Sequence, residues 1–239
     1  MIPLRFIWWG TALIAAVAVA LFGWLSLNNR ADRLVAADRQ AAELSRTLAE
    51  HAARSFGTVD VMLSALADRF DAERGSARLA PAYVHGVFAD YRRKLPQING
   101  LGYFDRLGKI VATAETAAPP AVTSADRDFF KVHAAEATAR LFIGAPIQVR
   151  TSNAFGFTVS RRMNAADGGF SGVITALLDP AHFRAFYDRA TMVDGELVLL
   201  LREDGTVLAT ASNLEIDEKW VGRRIDLARP LHSAPGEKI

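Results

Sequence analysis

Cysteine is absent from the 239 residues, and its absence excludes several classes of protein. A disulfide scaffold, a cysteine-ligated zinc site, a thiol nucleophile and CxxC redox chemistry all require that residue. The five histidines are scattered without the spacing of a metal site, so no metal is predicted. Glycine and proline number only 17 and 9, and 51% of the residues are hydrophobic, a composition typical of a globular protein.

The sequence also lacks a large excess of positive or of negative residues. The sequence has 28 Lys and Arg against 26 Asp and Glu, and only Arg5 among them lies in the first 29 residues. Despite a sequence pI of about 9.1, this balance argues against a surface that binds phosphates, so no nucleic-acid partner is predicted.

Catalytic sequence motifs are missing as well. There is no P-loop and no GxGxxG before a predicted helix. The segment Gly169–Gly172, GFSG, has the wrong spacing for a nucleophile elbow and falls in a predicted turn and strand. The sequence therefore predicts a chain that is not an enzyme and needs no cofactor.

The longest uncharged run is Phe6–Leu27, FIWWGTALIAAVAVALFGWLSL. As a helix it would extend about 33 Å, enough to cross a hydrocarbon core of about 30 Å. The alternative is a cleavable signal peptide, whose apolar region is only about 7–15 residues long and ends at a small-x-small site. Here large apolar residues continue beyond the alanines. We therefore predict an uncleaved transmembrane anchor over residues 1–30, and the short leader before it favours placing the bulk of the chain outside the cytoplasm.

A long stalk helix is predicted over residues 31–73, which contain no proline and a single glycine. Its apolar residues recur at steps of three and four, the helical period. Because such a helix cannot bury its stripe alone, we expect it to pack on a domain, on a second copy of the chain, or on both, and we predict a parallel homodimer through the stalk. The recurring residues are Leu44, Leu48, Phe56, Val59, Leu63, Leu66 and Phe70.

Two similar segments follow, Leu101–Thr113 (LGYFDRLGKIVAT) and Leu199–Thr210 (LLLREDGTVLAT). Each predicts a strand, a polar turn containing glycine, and a second strand. The likeness is either a coincidence or the sign of two copies of one module. On the second interpretation residues 74–193 form a complete module and residues 194–239 the incomplete start of another.

The first module reads as an α+β fold. Five mostly antiparallel strands with helices on one face give an arrangement that resembles a PAS domain. One helix is expected to be capped by Ser124 or Asp126, and another begins at Asp179-Pro180. The predicted helices are Pro81 to about Leu95, Ser124 to about Glu136, and Pro180 to about Ala190. Besides the first hairpin, the predicted strands are Leu141–Val149, Phe155–Met163 and Phe170–Leu178.

Arginines and aromatic residues are the candidate site. Arginine presents a planar donor fork that binds carboxylates, so an anion pocket with aromatic walls is one interpretation. The alternative is that the arginines are solvated or pair with nearby aspartates, that the phenylalanines belong to the core, and that the aspartate caps a helix. The candidates are Arg127, Phe129, Phe130, Arg150, Phe157, Arg161, Asp179 and Tyr103.

Several segments in order resemble the double Cache sensor region of bacterial receptors: DRDFFKVH, LFIGAPIQVRTS, FGFTVSRRM, DGGFSGVITALLDPAHFRAFYDR and LLLREDGTVLAT. The resemblance covers roughly Ala31–Ile239. It implies two stacked PAS-like modules on one long helix, with a small-molecule ligand in the membrane-distal module. It also implies a bacterial inner-membrane receptor whose cytoplasmic output domain is a histidine kinase of a two-component system, a diguanylate cyclase or a chemotaxis signalling domain.

The family's pocket residues carry over in part. Arg127 matches the arginine that holds the carboxylate in amino-acid-binding members, and Asp179 matches the aspartate that holds the amine. Phe129 and Phe130 replace a tryptophan and a tyrosine, so the ring hydroxyl of that tyrosine is lost. The resemblance thus implies a ligand other than an ordinary amino acid.

A carboxylate held by Arg127 together with Arg150 or Arg161 is the ligand that we expect. Ile147 and Val149 stand where those members have a tyrosine and an aspartate, which removes two further polar contacts. The alternative function is a membrane-tethered structural or assembly module without a ligand.

Overall fold

The computed structural model describes most of the chain, and it divides into two compact units, residues 1–51 and 52–239. The described residues are 4–73, 80–137, 141–150, 152, 154–190, 197–212 and 220–226, without the side chains of 4–14, 26–28 and 31. The predicted helix break at Gly75 and Ser76 lies outside the described residues.

One continuous helix, α1 (Leu4–Ala72), includes both the predicted anchor and the predicted stalk. The side chains of residues 32–47 are exposed, apart from the half-buried Leu44. Where the side chains are described, no helix has a stretch long and apolar enough to cross a membrane. The anchor predicted at Phe6–Leu27 lies partly outside that description and stays a prediction.

The unit 52–239 is built on a five-stranded sheet of order β2-β1-β5-β4-β3, in which every neighbouring pair is antiparallel. The strands lie within three residues of those predicted from the sequence, and β5 has the predicted bounds. They are β1 (Ile98–Asp105), β2 (Ile110–Thr113), β3 (Phe142–Gln148), β4 (Phe155–Asn164) and β5 (Phe170–Leu178).

Three shorter helices are α2 (Pro81–Lys94), α3 (Asp128–Ala135) and α4 (Pro180–Ala190). The capping predicted for α4 is confirmed, because Asp179 Oδ1 accepts a hydrogen bond of 2.9 Å from the amide of Ala181.

The cap predicted for α3 is wrong. Neither Ser124 nor Asp126 caps this helix, whose N-cap is Arg127 without a side-chain cap bond. The physical reason is a turn before the helix, in which the amide of Arg127 donates to the carbonyl oxygen of Ser124, so the helix begins at Asp128.

Helices cover both faces of the sheet, which corrects the expectation of helices on one face. Arg161 Nε donates to Asp60 Oδ1 of α1 at 2.6 Å. The next residue of β4, Arg162, donates to the carbonyl oxygen of His133 in α3. Because successive side chains of a strand point to opposite faces, α1 and α3 must lie on opposite sides. The doubly covered strands β4 and β5 are accordingly almost wholly buried.

The apolar stripe of α1 is buried by its own unit from Val59 onward. Val59 and Leu63 are fully buried. The Phe70 ring lies 5.8 Å from Phe88 of α2 and 6.1 Å from Tyr103 of β1, measured between ring centroids. Each such side chain contributes about 1.5–3 kcal/mol when fully buried. This stretch therefore needs no second copy of the chain to cover it.

A second, two-stranded sheet repeats the turn of the first hairpin. Gly108 and Gly205, which the sequence aligns, have positive φ angles of 76° and 83°. In both turns the glycine amide donates at 2.9 Å to the carbonyl oxygen three residues earlier, on Asp105 and Arg202 respectively. The predicted likeness of the two turns therefore extends to their backbone. The strands of this sheet are β6 (Leu197–Leu201) and β7 (Val207–Ser212).

We predict that His133 makes the stability of the fold depend on pH. Burial, with the positive charges of Arg162 and Arg161, lowers the pKa of His133 from 6.5 to about 4. The unfolded chain binds this proton as the pH falls below about 6.5 and the folded chain does not until about 4, so stability is lost through that window. Urea unfolding of His133→Gln should lose about 2 kcal/mol less between pH 8 and pH 4.5 than the wild type. Equal losses in the two proteins would contradict this.

Candidate functional site

A cavity of about 70 Å³ opens on the face of the sheet that α3 covers. Gly100 and Gly102 of β1 leave room for it, because a Cβ at Gly102 would lie 3.1 Å from both the Phe104 ring and Thr175 Oγ1. At roughly 10–15 Å³ for each water-sized group, the cavity admits on the order of five to seven non-hydrogen atoms. It therefore suits a small ligand.

The cavity walls are mainly apolar. Phe104, Ile110 and Phe129 are buried in one cluster, and the partly buried Val122 and Ile147 pack against it. The rings of Phe104 and Phe129 lie 5.4 Å apart. Such walls favour a ligand with an apolar body and leave its orientation to the few polar groups at the rim.

Arg127 brings a positive charge to this cavity from the N-cap of α3. Its Nη2 donates to the carbonyl oxygen of Gln148, at the end of β3, over 3.3 Å. Within the described part of the chain, no carboxylate lies within 4.0 Å of its guanidinium. The charge is therefore available to an anionic ligand.

Arg150 also lines the cavity, but its charge is compensated. Its Nη1 and Nη2 donate to the two carboxylate oxygens of Asp126 at 2.8 and 2.6 Å. These hydrogen bonds lower the pKa of Asp126 to about 2. The alternative reading from the sequence, pairing with a nearby aspartate, therefore describes Arg150.

A carboxylate that the sequence analysis did not single out lies at the β1 side of the cavity. Glu115 Oε1 lies 3.1 Å from the position that a Cβ on Gly100 would take, and 3.9 Å from Arg92 Nη1. Thr158 and Thr175 of the central strands also line the cavity. Gly100 and Gly102 are two residues apart and so lie on one face of β1. That spacing is the sequence signal that could have indicated a cavity at this part of the sheet.

Three of the eight predicted site residues, Arg127, Phe129 and Arg150, line the cavity. Phe130 belongs to the same core cluster as the wall residues but does not line the cavity, and its ring lies 5.5 Å from that of Phe170. Of the two α3 phenylalanines predicted for the site, the cavity is therefore lined by Phe129 and not by Phe130.

The remaining four lie elsewhere. Tyr103, Phe157 and Arg161 project from the opposite face of the sheet, where the Phe157 ring lies 5.6 Å from Phe183 and Arg161 pairs with Asp60. Arg127 and Arg161 therefore cannot hold one ligand in this cavity.

Asp179 lines a separate groove of about 200 Å³ beside Phe155 and Thr210. Its side chain caps α4 there, as the alternative reading of the sequence has it.

The fold has relatives among solved structures, although neither a protein-family model nor a curated protein matches the chain. The extracellular domain of rpHK1S-Z16, which is named as a histidine kinase, is 30% identical with a TM-score of 0.65, covering 70% of this chain and 68% of that one. The ligand-binding domain of the Pseudomonas aeruginosa PAO1 amino acid chemoreceptor PctC, in complex with GABA, is 14% identical with a TM-score of 0.58, covering 76% and 77%. The sensory domain of the Campylobacter jejuni chemoreceptor Tlp3, with isoleucine bound, is 12% identical with a TM-score of 0.54, covering 70% and 68%.

We predict that Thr158→Val stabilises the ligand-free protein. Thr158 is 4% exposed, and no described residue forms a hydrogen bond with its Oγ1. Replacing a buried, unsatisfied hydroxyl by an isosteric methyl should gain about 1 kcal/mol in urea unfolding. The matched control is Thr113→Val, at an equally buried residue whose Oγ1 accepts from the amides of Glu115 and Thr116. That control should lose about 1–2 kcal/mol, and a loss of the same size in Thr158→Val would show that its hydroxyl is satisfied.

Proposed function

Because the chain belongs to the Cache-type extracellular ligand-binding sensor domains of histidine kinases and chemoreceptors, we propose that its ligand is a small carboxylate bound in the cavity beneath α3. The observation that carries this proposal is the Arg127 guanidinium, which has no carboxylate partner in the described residues and stands at the rim of an apolar cavity. A cation in this position is the natural partner of an anionic group whose apolar body enters the cavity.

The guanidinium of Arg127 is the charge that the site offers to an anion. Residue 127 is the N-cap of α3, but the first turn of this helix already contains the carboxylate of Asp128, which accepts from the amide of Phe129. Arg150 is neutralised by Asp126 and adds little net charge. We therefore assign the charge-assisted hydrogen bond with the ligand to Arg127 and not to Arg150.

The size of the cavity limits the ligand class. A volume of about 70 Å³ suits a carboxylic acid of about five to seven non-hydrogen atoms. GABA and isoleucine, bound by PctC and Tlp3, both carry a carboxylate. In this chain Asp179 caps a helix away from the cavity, so a ligand amine would meet Glu115 and not that aspartate.

The proposed role of binding is transmembrane signalling. We place the sensor at the bacterial inner membrane, held by the span predicted at Phe6–Leu27, with the modules outside the cytoplasm. Ligand binding would then act on a cytoplasmic output domain of the histidine kinase, diguanylate cyclase or chemotaxis type.

We also propose that two copies associate through α1. Leu34 and Val35 are 60% and 50% exposed, whereas the stripe from Val59 onward is buried within its own unit. Exposed apolar residues on a long helix are covered when two such helices pack side by side. The proposed contact is therefore confined to the part of α1 before residue 52.

We predict that Arg127→Ala weakens binding of the ligand. A thermal-shift panel of organic acids, amino acids and amines identifies compounds that stabilise the chain, and titration then gives their affinities. Loss of a charge-assisted bond of about 1.5–3 kcal/mol weakens binding roughly 10- to 150-fold. Arg106→Ala, at an exposed arginine of the β1–β2 turn, should bind as the wild type does.

Two outcomes would overturn the Arg127 assignment. Unchanged affinity of Arg127→Ala, with loss in Arg150→Ala, would transfer the role to Arg150. A chain that no compound stabilises would favour the structural module without a ligand.

We predict disulfide crosslinks between two chains along α1. The sequence has no cysteine, so single cysteines placed from Leu34 to Leu48 report on the contact without background. Crosslinking yields should peak every three to four residues, because only one side of each helix faces its partner. Leu107→Cys, at a residue 70% exposed in the β1–β2 turn, is the control that should not crosslink. Uniform absence of crosslinks along the segment would contradict the dimer.

A further inference from the structure

Arg202, the residue after β6, reaches out of its own hairpin to the five-stranded sheet. Its Nη1 donates to the carbonyl oxygen of Ile143 at 3.2 Å and lies 3.6 Å from Asp128 Oδ2. Its guanidinium carbon lies 5.8 Å from the centre of the Phe142 ring. The Arg202 side chain is 25% exposed and that of Asp128 is 38% exposed, so the contact is only partly shielded from solvent.

Asp128 is the centre of this contact, because its carboxylate also holds two elements of the cavity together. Its Oδ1 accepts from the amide of Phe129 at 2.7 Å, in the first turn of α3. Its Oδ2 accepts from the amide of Ala145 at 3.1 Å, in β3. Arg202 supplies the positive charge that this carboxylate faces from the second sheet.

The contacted part of β3 is irregular and depends on these bonds. The pairing of β3 with β4 shifts register between Ile143 and Pro146. Backbone groups at such a bulge lose their ladder partners and need others. Asp128 and Arg202 supply them, to the amide of Ala145 and to the carbonyl oxygen of Ile143.

The same stretch of chain shapes the cavity. Beyond the bulge, Ile147 and Val149 line the cavity, and the carbonyl oxygen of Gln148 accepts from Arg127. Space at the bulge is tight, because a Cβ on Gly144 would lie only 2.3 Å from Thr158 Oγ1. A displacement of the bulge would therefore also displace the residues of the cavity wall that follow it in the chain.

We infer that Arg202 is a positioning residue of the cavity: acting through Asp128, it fixes the β3 bulge and the first turn of α3, and so couples the β6–β7 hairpin to the ligand site. Asp204 holds the guanidinium in place by accepting from Nε at 3.0 Å. Because coupling between two sites is reciprocal, a ligand that shifts α3 or β3 also shifts the hairpin. The meaning of this coupling for sensing rests on the proposed function.

Amide hydrogen exchange on the whole 239-residue chain, without any ligand, tests the coupling. Arg202→Gln should speed exchange at the amides of Phe129 and Ala145 by about 5- to 10-fold, although neither amide touches Arg202 directly. Arg202→Lys, which keeps the charge and loses the planar fork, should give a smaller increase. The control Arg184→Gln, at an exposed arginine of α4, should leave both amides unchanged.

The reverse variant completes the test. Asp128→Asn should speed exchange in the β6–β7 hairpin, and the effects of Asp128→Asn and Arg202→Gln should be less than additive in the double variant. Unchanged exchange at Phe129 and Ala145 in Arg202→Gln, or full additivity, would overturn the inference. Since no ligand is used, these results are independent of whether Arg127 binds a carboxylate.

Discussion

The five-stranded sheet must be covered on both faces, and the rest of the structure follows from that requirement. Two consecutive residues of β4 show that both faces are covered, since Arg161 binds α1 and Arg162 binds α3. The α1 face is closed by large rings such as Phe70 and Phe88. The α3 face is left open at Gly100 and Gly102, where missing side chains keep a cavity. The α1 face is therefore closely packed, and the α3 face contains the cavity.

Much of the secondary structure could be predicted from the sequence, because local signals specify it. Turn glycines and apolar runs located the strands, and Asp179-Pro180 located the start of α4. Which face a strand residue occupies was not predictable in the same way. Strands buried on both sides carry no alternation of polar and apolar residues, so Tyr103 and Phe157 could not be assigned to a face.

The candidate site was predicted only in part, for a related reason. Whether an arginine is free or paired depends on contacts between distant loops. Asp126 and Arg150 are 24 residues apart, and Asp60 and Arg161 are 101 apart. Arg127 differs from both because its side chain meets a carbonyl oxygen and no carboxylate among the described residues. Tertiary pairing therefore distinguishes Arg127 from other arginines that look equivalent in the sequence.

The two similar turns differ in where the carboxylate that caps the turn lies. In the first turn Asp105 Oδ1 accepts from the amide of Lys109 at 2.9 Å and so stabilises its own turn. Arg202 stands at the aligned position of the second turn, and there Asp204 Oδ1 accepts from the equivalent amide, that of Thr206, at 3.1 Å. The capping carboxylate of the second turn lies two residues later, so the position aligned with Asp105 can hold a long cationic side chain. A local turn bond in the first hairpin therefore corresponds to a contact between sheets in the second.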